Sequence, residues 1–262
     1  MAGGTVGTPQ GAVISPLLAN ACLHYVYDRW VQQWRKRHAR GEMIVVRYAD
    51  DTIVGCQFED DARSFLDSLR ERLAAVALAL HPEETRLITF GRFAQADRRK
   101  DGHGRAETFD FLGFTHICAT SRDGRFQLRR QSMRKRLRAR LAEIKEEMKR
   151  RRHQRIADQG QWLKSVVAGY FAYHAVPTNG RTLSAFRYHV VQTWLRSRRR
   201  RSQRHRMPWD RMNRIVDAWI PPVGISHPWP STRFDVKHPR QEPSALAHLM
   251  RGHTRDSLAS VA

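Results

Sequence analysis

Asp50 and Asp51 are adjacent carboxylates at the end of Tyr48-Ala49-Asp50-Asp51, set between two short apolar runs at 43–48 and 52–56. On a regular strand, neighbouring side chains point to opposite faces, so two such residues would not share a site. At the tip of a hairpin the backbone turns, and both can approach one face. Carboxylates placed this way suit Mg²⁺, which takes oxygen ligands and keeps waters and phosphate oxygens among them. Two such ions about 3.5–4 Å apart stabilise both the attacking and the leaving oxygen of a phosphoryl transfer. An ordinary Asp-containing turn accounts for the tetrapeptide equally well, and four residues alone leave both readings open.

A second constellation lies upstream, Gly7-Thr8-Pro9-Gln10-Gly11 followed by Ile14-Ser15-Pro16-Leu17-Leu18. Glycine lets a backbone approach a ligand closely, and a Gln amide can bond a base or sugar edge. A plain loop that caps a helix is the alternative reading. Cys22, Cys56 and Cys118 are widely spaced and form no CxxC pair. That excludes a disulfide scaffold and argues against structural zinc. Cys56 and Cys118 read as small buried residues.

The elements that must position these residues follow from periodicity. Residues 1–11 read as a loop. A helix is expected over 15–37, with Ser15 as cap and Pro16 in its first turn. Its apolar stripe would be Leu17, Leu18, Cys22, Tyr25, Val26 and Trp30. The runs around Asp50-Asp51 predict a hairpin. Residues 60–80 predict an amphipathic helix with Phe65, Leu66, Leu69, Leu73 and Val76 on one face, and 85–90 a strand. Residues 91–107 read as a loop. Residues 109–119 and 125–128 flank an Asp123-Gly124 turn signal, which predicts a second hairpin. Helices are expected over 132–156, 162–174, 183–198 and 209–218. Pro221, Pro222, Pro228 and Pro230 then break regular structure, and a tail from about 243 reads as disordered.

The 262 residues allow one large or two modest domains at roughly 150 residues each. The net charge of +22 calls for a polyanionic partner. Its distribution says more than its sum. Residues 1–120 hold 15 Lys+Arg against 15 Asp+Glu, and residues 121–262 hold 32 against 10. Two parts with different tasks are implied. The clusters are 129–140, with Arg129, Arg130, Arg134, Lys135 and Arg138, and 196–206, with Arg198, Arg199, Arg200 and Arg201. A solvated face is the usual fate of a charge run, but here the runs sit beside Trp194 and Trp209. No apolar run reaches a membrane span and no signal peptide opens the chain, so a cytoplasmic protein is expected, with no membrane partner.

The motifs acquire a common meaning in order. Residues 7–20 (GTPQGAVISPLLAN) followed by Tyr48-Ala49-Asp50-Asp51 resemble the reverse transcriptases encoded by group II introns, the intron maturases. Leu80-His81-Pro82-Glu83-Glu84-Thr85-Arg86-Leu87 resembles the segment after the helix that follows the family's metal-binding hairpin. Phe109-Asp110-Phe111-Leu112-Gly113-Phe114 looks like its primer-grip hairpin. Trp162, Gly169-Tyr170-Phe171, Asn179, Phe186, Trp194 and Leu195 resemble its helical thumb, the maturase domain. The resemblance covers residues 1 to about 243.

It implies an α+β chain: a right-hand polymerase palm of antiparallel sheet and helices over 1–130, an all-α thumb over 131–242, and the tail at 243–262. Asp50 and Asp51 would be catalytic ligands for Mg²⁺, with Mn²⁺ as an alternative. Gln10, Gly11, Tyr48 and Ala49 would lie at the nucleotide and template, and Phe111, Leu112 and Gly113 at the primer end. Packing is the other reading of Tyr48 and of at least one of Phe111, Leu112 and Phe114. The implied partners are intron RNA, an RNA/DNA primer–template and deoxynucleoside triphosphates. The departures are equally specific. The fingers and the family's remaining catalytic Asp precede the Pro-Gln-Gly loop, and Met1–Val6 carry no acid. An N-terminal half supplied as a separate chain is one expectation from that. Glu84 stands where the family commonly has Lys, and the tail carries no His-Cys endonuclease module. The resemblance thus implies an RNA-directed DNA polymerase. A non-catalytic RNA-binding module that assists intron splicing is the competing expectation.

Overall fold

The computed structural model describes residues 14–201 and 207–230, and the backbone of 258–261. It contains two compact units, residues 1–107 with 253–262, and residues 108–252. The second sheet therefore groups with the helices, and the boundary between compact units falls at 107/108, whereas the resemblance implied a palm–thumb boundary near 130. Gln10, Gly11 and the rest of their loop lie outside the described residues.

The first unit is a sheet with helices against one face. A helical rod begins with α1 (Ser15–Leu23), passes through a π-helical segment (His24–Asp28) and ends with α2 (Arg29–His38). Pro16 sits in the first turn as expected, but Ile14 is the N-cap residue and makes no side-chain capping bond. The expected apolar stripe is corrected. Nothing in α1 is buried, and Leu17, Leu18 and Tyr25 are exposed. The packed face is Val26, Tyr27, Val31 and Trp34. The reason is the π segment, which rotates the rod so that successive residues Val26, Tyr27 and Asp28 turn inward.

Strands β1 (Met43–Tyr48) and β2 (Asp51–Cys56) form the expected hairpin, followed by α3 (Glu59–Ala74) and β3 (Leu87–Phe90). Met43, Val54 and Cys56 pack against Val31, Trp34, Phe65, Leu66, Leu69 and Leu73. Trp34 meets Phe65 edge-on at 5.1 Å, a geometry that aromatic pairs favour. Val76 lies beyond the end of α3 and is exposed. The stretch read as a loop at 91–107 contains a short helix, α4 (Ala94–Lys100).

Burial of the Cys56 thiol raises its pKa to about 11, which suits a packing residue. At the start of α3, Asp61 accepts from the Arg40 and Gly41 backbone N–H groups and from Arg40 Nε. This ties the α2–β1 connection to the helix.

The second unit opens with a three-stranded antiparallel sheet: β4 (Thr108–Phe111), β5 (Phe114–Thr120) and β6 (Phe126–Ser132). Residues 109–119 were expected as one strand, but Leu112-Gly113 breaks it. Phe111 pairs with Phe114 across those two residues, whose φ values are 47° and 79°. Two successive positive φ values are the mark of a tight hairpin turn that matches strand twist. Glycine takes the second at no steric cost.

Helices α5 (Arg134–Arg150), α6 (Ile156–His174), α7 (Gly180–Arg199) and α8 (Trp209–Trp219) follow, close to their expected bounds. Their core is Ile144, Met148, Leu163, Val167, Leu183, Phe186, Val190, Trp194, Met207, Met212 and Val216. Gln159 is fully buried there. It accepts from Trp194 Nε1 at 2.8 Å and donates to the carbonyls of Arg151 and Arg152, so no amide dipole is left unpaired.

The tail expectation is corrected at its end. The backbone of β7 (Leu258–Val261) pairs antiparallel with both β2 and β3, giving the order β1-β2-β7-β3. Four residues gain two rows of ladder bonds in that slot, which offsets the low propensity of a short segment. No helix among the described residues is long and apolar enough to cross a membrane.

Gly160 marks the tightest contact in the helical unit. A Cβ there would lie 2.5 Å from the Trp219 ring. Gly160→Ala should push Trp219 off α6 and cost about 1–3 kcal/mol, the usual range for overpacking. The urea midpoint of the purified variant measures this.

Candidate nucleotidyl-transfer site and nucleic-acid surface

The β1–β2 register closes on Tyr48 opposite Asp51, with Ala49 and Asp50 as a two-residue turn. Ala49 has a left-handed φ of 56°, which costs a non-glycine residue roughly 1–2 kcal/mol. The surrounding bonds hold it there. Arg47 Nη1 donates to the Ala49 carbonyl at 2.7 Å and to Asn20 Oδ1 at 3.0 Å. The same guanidinium meets Asp28 through two parallel bonds of 2.7 Å, from Nε and Nη2. That fork geometry is specific to arginine. The Arg47 guanidinium holds the Asp28 carboxyl below the usual carboxylate range. One strand further, the hydroxyls of Tyr27 and Thr52 lie 2.7 Å apart. Burial raises the Tyr27 pKa to about 12, so that hydroxyl stays protonated. Tyr27 and Asp28 are consecutive, and the π segment is what lets both face the hairpin.

Strand alternation sorts the remaining side chains. Met43, Val45, Arg47, Thr52, Val54 and Cys56 share the helix-covered face. Ile44, Val46 and Tyr48 lie on the other and are 45%, 46% and 64% exposed. Asp51 opens β2 on that same open face, opposite Tyr48. Asp50 occupies the turn, and both carboxylates are exposed. Neither forms an ion pair with a described residue. The tip thus presents two uncompensated carboxylates beside an apolar strip. Among the described residues no cluster of three or more metal-ligating side chains occurs. Two carboxylates nonetheless fit Mg²⁺, which commonly binds through one or two of them and draws its other ligands from water and phosphate.

In the second unit, the Phe111-Leu112-Gly113 turn is anchored on helices. Tyr173 Oη donates to the Leu112 carbonyl at 2.7 Å, and Met133 N–H donates to the Gly113 carbonyl. Phe114 is buried and stacks on Tyr173. Phe111 and Leu112 are half-buried. Behind the turn, Asn179 Nδ2 donates to Ser132 Oγ at 2.9 Å, and Ser132 Oγ lies 3.0 Å from His174 Nδ1. The Ser132 oxygen accepts from Asn179, and the direction of its bond to the imidazole depends on the His174 tautomer. Burial, and then the Arg136 charge, lower the His174 pKa to about 4.

The basic residues divide by environment. Arg134, Lys135 and Arg138 are exposed and form no ion pair with a described residue. Further along α5, Arg140, Lys149, Arg150 and Arg151 pair with Glu143, Glu146 and Glu147. The first turn of α5 holds no acid. Cations there oppose the helix dipole, each at a cost of about 0.3–1 kcal/mol. An anion lying across that turn would reverse the sign. Arg129 and Arg130 are half-buried on β6, Arg199, Arg200 and Arg201 are exposed, and Arg198 is buried, although it was expected to present its charge to RNA with its neighbours.

Residues 4–116 match the family model for reverse transcriptase (RNA-dependent DNA polymerase). The match spans the hairpin tip with Asp50 and Asp51, and it ends within β5. It supports a mixed helix and antiparallel-sheet reading of reverse transcriptase type, with nucleic acid and nucleotides as the substrates of that family. No curated protein matches the chain. Sequence reasoning found the two carboxylates. It missed Arg47 and the clamp role of Asp28, whose only signal was an Arg and an Asp of opposite charge on adjacent elements.

The His174 environment makes a pH prediction. The folded-state pKa is depressed, so the unfolded chain takes up a proton first as pH falls. Stability is unaffected above the ordinary value near 6.5 and declines between there and about 4. Urea midpoints across that window should fall for the wild type and flatten for His174→Gln, which keeps an acceptor for Ser132 but does not titrate.

Proposed function

We propose that this chain is the palm and thumb of a group II intron reverse transcriptase/maturase, with the palm over 1–130 and the thumb over 131–242. The observation that carries this reading is the pair of adjacent, unpaired carboxylates, Asp50 and Asp51, on a clamped hairpin tip inside the reverse transcriptase match. In this reading Asp50 and Asp51 hold Mg²⁺, and Mn²⁺ can replace it. When bound, the ion neutralises charge as a primer 3′-oxygen attacks the α-phosphate of a deoxynucleoside triphosphate and pyrophosphate leaves. Arg47 and Asp28 fix the turn so that the carboxylates need not reorganise. Ile44, Val46 and Tyr48 offer an apolar surface to sugars and bases, with Gln10 and Gly11 at the nascent pair by resemblance. Phe111, Leu112 and Gly113 form the primer grip. The exposed cations Arg134, Lys135, Arg138 and Arg199 to Arg201, with the half-buried Arg129 and Arg130, take phosphates of intron RNA and of the primer–template.

Primer extension on an RNA template tests the enzymatic part. It should be measured with the chain alone and with an added polypeptide bearing a further Asp-carrying strand. Mg²⁺-dependent extension should fall to background in Asp50→Ala. Extension that survives Asp50→Ala would refute the assignment. Arg47→Lys keeps the charge but loses the fork. It should slow extension about 10–100-fold, the usual effect of disturbing a group that orients a metal ligand. The Mg²⁺ concentration for half-maximal rate should rise with it.

The unpaired cations at the start of α5 favour a second reading, an RNA-binding maturase module without polymerase activity. Both readings predict steep salt dependence. Arg134→Ala/Lys135→Ala/Arg138→Ala should reduce the slope of log K against log salt by about 2, at roughly 0.7 per single-stranded phosphate contact. Filter binding to an intron-derived RNA measures it. Only the first reading predicts extension.

A further inference from the structure

Arg198, in the last turn of α7, is 6% exposed. Its Nε and Nη1 are shut off from solvent and meet no hydrogen-bond partner. No carboxylate of a described residue pairs with it, and an arginine cannot shed its proton to escape the cost. Burying an unpaired ion is costly even after relaxation, and the α7 C-terminal dipole offsets only a small part of that. The neighbours make matters worse. Arg201 N–H bonds the Arg198 carbonyl, and the like charges of Arg201 and Arg211 add to burial in lowering the Arg198 pKa. Arg201 and Arg211 are both exposed.

Two neighbours of Arg198 are satisfied. Ser197 Oγ donates to the Met148 carbonyl, and Arg199 Nε donates to that of Met207. Arg152, four residues beyond Met148, has a second buried and unpartnered guanidinium atom, its Nε. Arg211 lies in the first turn of α8, which has no side-chain cap. Cations are thus gathered around a buried, unsatisfied guanidinium, and Asp210, the acid in the first turn of α8, forms no ion pair with it.

We infer that the α7–α8 corner is a built seat for one phosphate group, with the Arg198 fork as its receptor and Arg201 and Arg211 at its mouth. A phosphate offers a fork two oxygens and enough charge to offset its desolvation. The phosphate belongs to the backbone of bound RNA. This source, though not the seat itself, rests on the nucleic-acid reading above. The seat differs from the exposed cations of α5 because it takes one anion at a fixed position.

Thermal melts of the full chain in inorganic phosphate and in chloride, at equal ionic strength, test it. Wild type should gain a saturable increase in midpoint from phosphate. Arg198→Met should lose that gain while melting in chloride at or above the wild-type midpoint, since it removes an orphaned buried charge. The surface variant Arg201→Ala/Arg211→Ala should fold normally and weaken the phosphate gain. A wild-type phosphate response in Arg198→Met overturns the inference, as does a large loss of midpoint in chloride, which would reveal a protein partner. For RNA, Arg198→Met should lower the salt slope by about 0.7, one contact. An unchanged slope with a lost phosphate response keeps the seat and assigns it to free phosphate. Neither readout depends on Asp50, so failure here and failure of the polymerase reading are separable.

Discussion

The fork of Arg47 is the interaction on which the candidate site depends. One guanidinium joins Asp28 on the helical rod to the Ala49 carbonyl in the hairpin turn. A two-residue turn with a left-handed alanine is strained, and exposed carboxylates repel each other more strongly the closer they are held. Left alone, such a tip relaxes. The clamp prevents this, and it needs two supports. The π segment must present Asp28 beside Tyr27, and β1 must send Arg47 to the covered face while Tyr48 goes to the open one. The geometry of the acids is therefore set by residues that carry no substrate-binding chemistry of their own.

The helical unit follows the opposite electrostatic rule. Its core is apolar, and the two fully buried amides among the described residues, Gln159 and Asn179, are satisfied. Its cations are arranged with little regard for local stability. They crowd the start of α5 against the helix dipole, and one is sealed into the α7–α8 corner without a partner. Both features are costs to the free protein that a bound anion would offset. The whole charge excess lies beyond residue 120, so in the proposed reading stability and nucleic-acid affinity are coupled through that anion.

Much of this was legible in the sequence, and the failures have physical causes. Helices α3 and α5–α8 announced themselves by apolar spacing, and the Asp50-Asp51 hairpin by two β-prone runs of matched length. The rod over 15–38 was placed correctly, but its buried face was not, because a π turn shifts the phase that a fixed period of 3.6 assumes. The break at Leu112-Gly113 was hidden from the residue pattern by a β-prone run on both sides, where the single glycine was the local hint of a turn, and it was the family resemblance that suggested a hairpin there. Arg198 was read with its neighbours as an RNA-binding run. Composition assigns all members of a cluster one fate, whereas helical phase buries one and exposes the next. Strand β7 had no local signal at all, since its partners lie some two hundred residues away.

The central claim is that the clamped tip is where a divalent ion binds. Backbone NMR of the full chain during titration with Mn²⁺ tests it most directly, since paramagnetic broadening reports proximity even at weak affinity. The amide signals of residues 48–52 should broaden first, and Asp50→Asn/Asp51→Asn should abolish this without disturbing the rest of the spectrum. Early broadening elsewhere, with the tip signals unaffected, would contradict it.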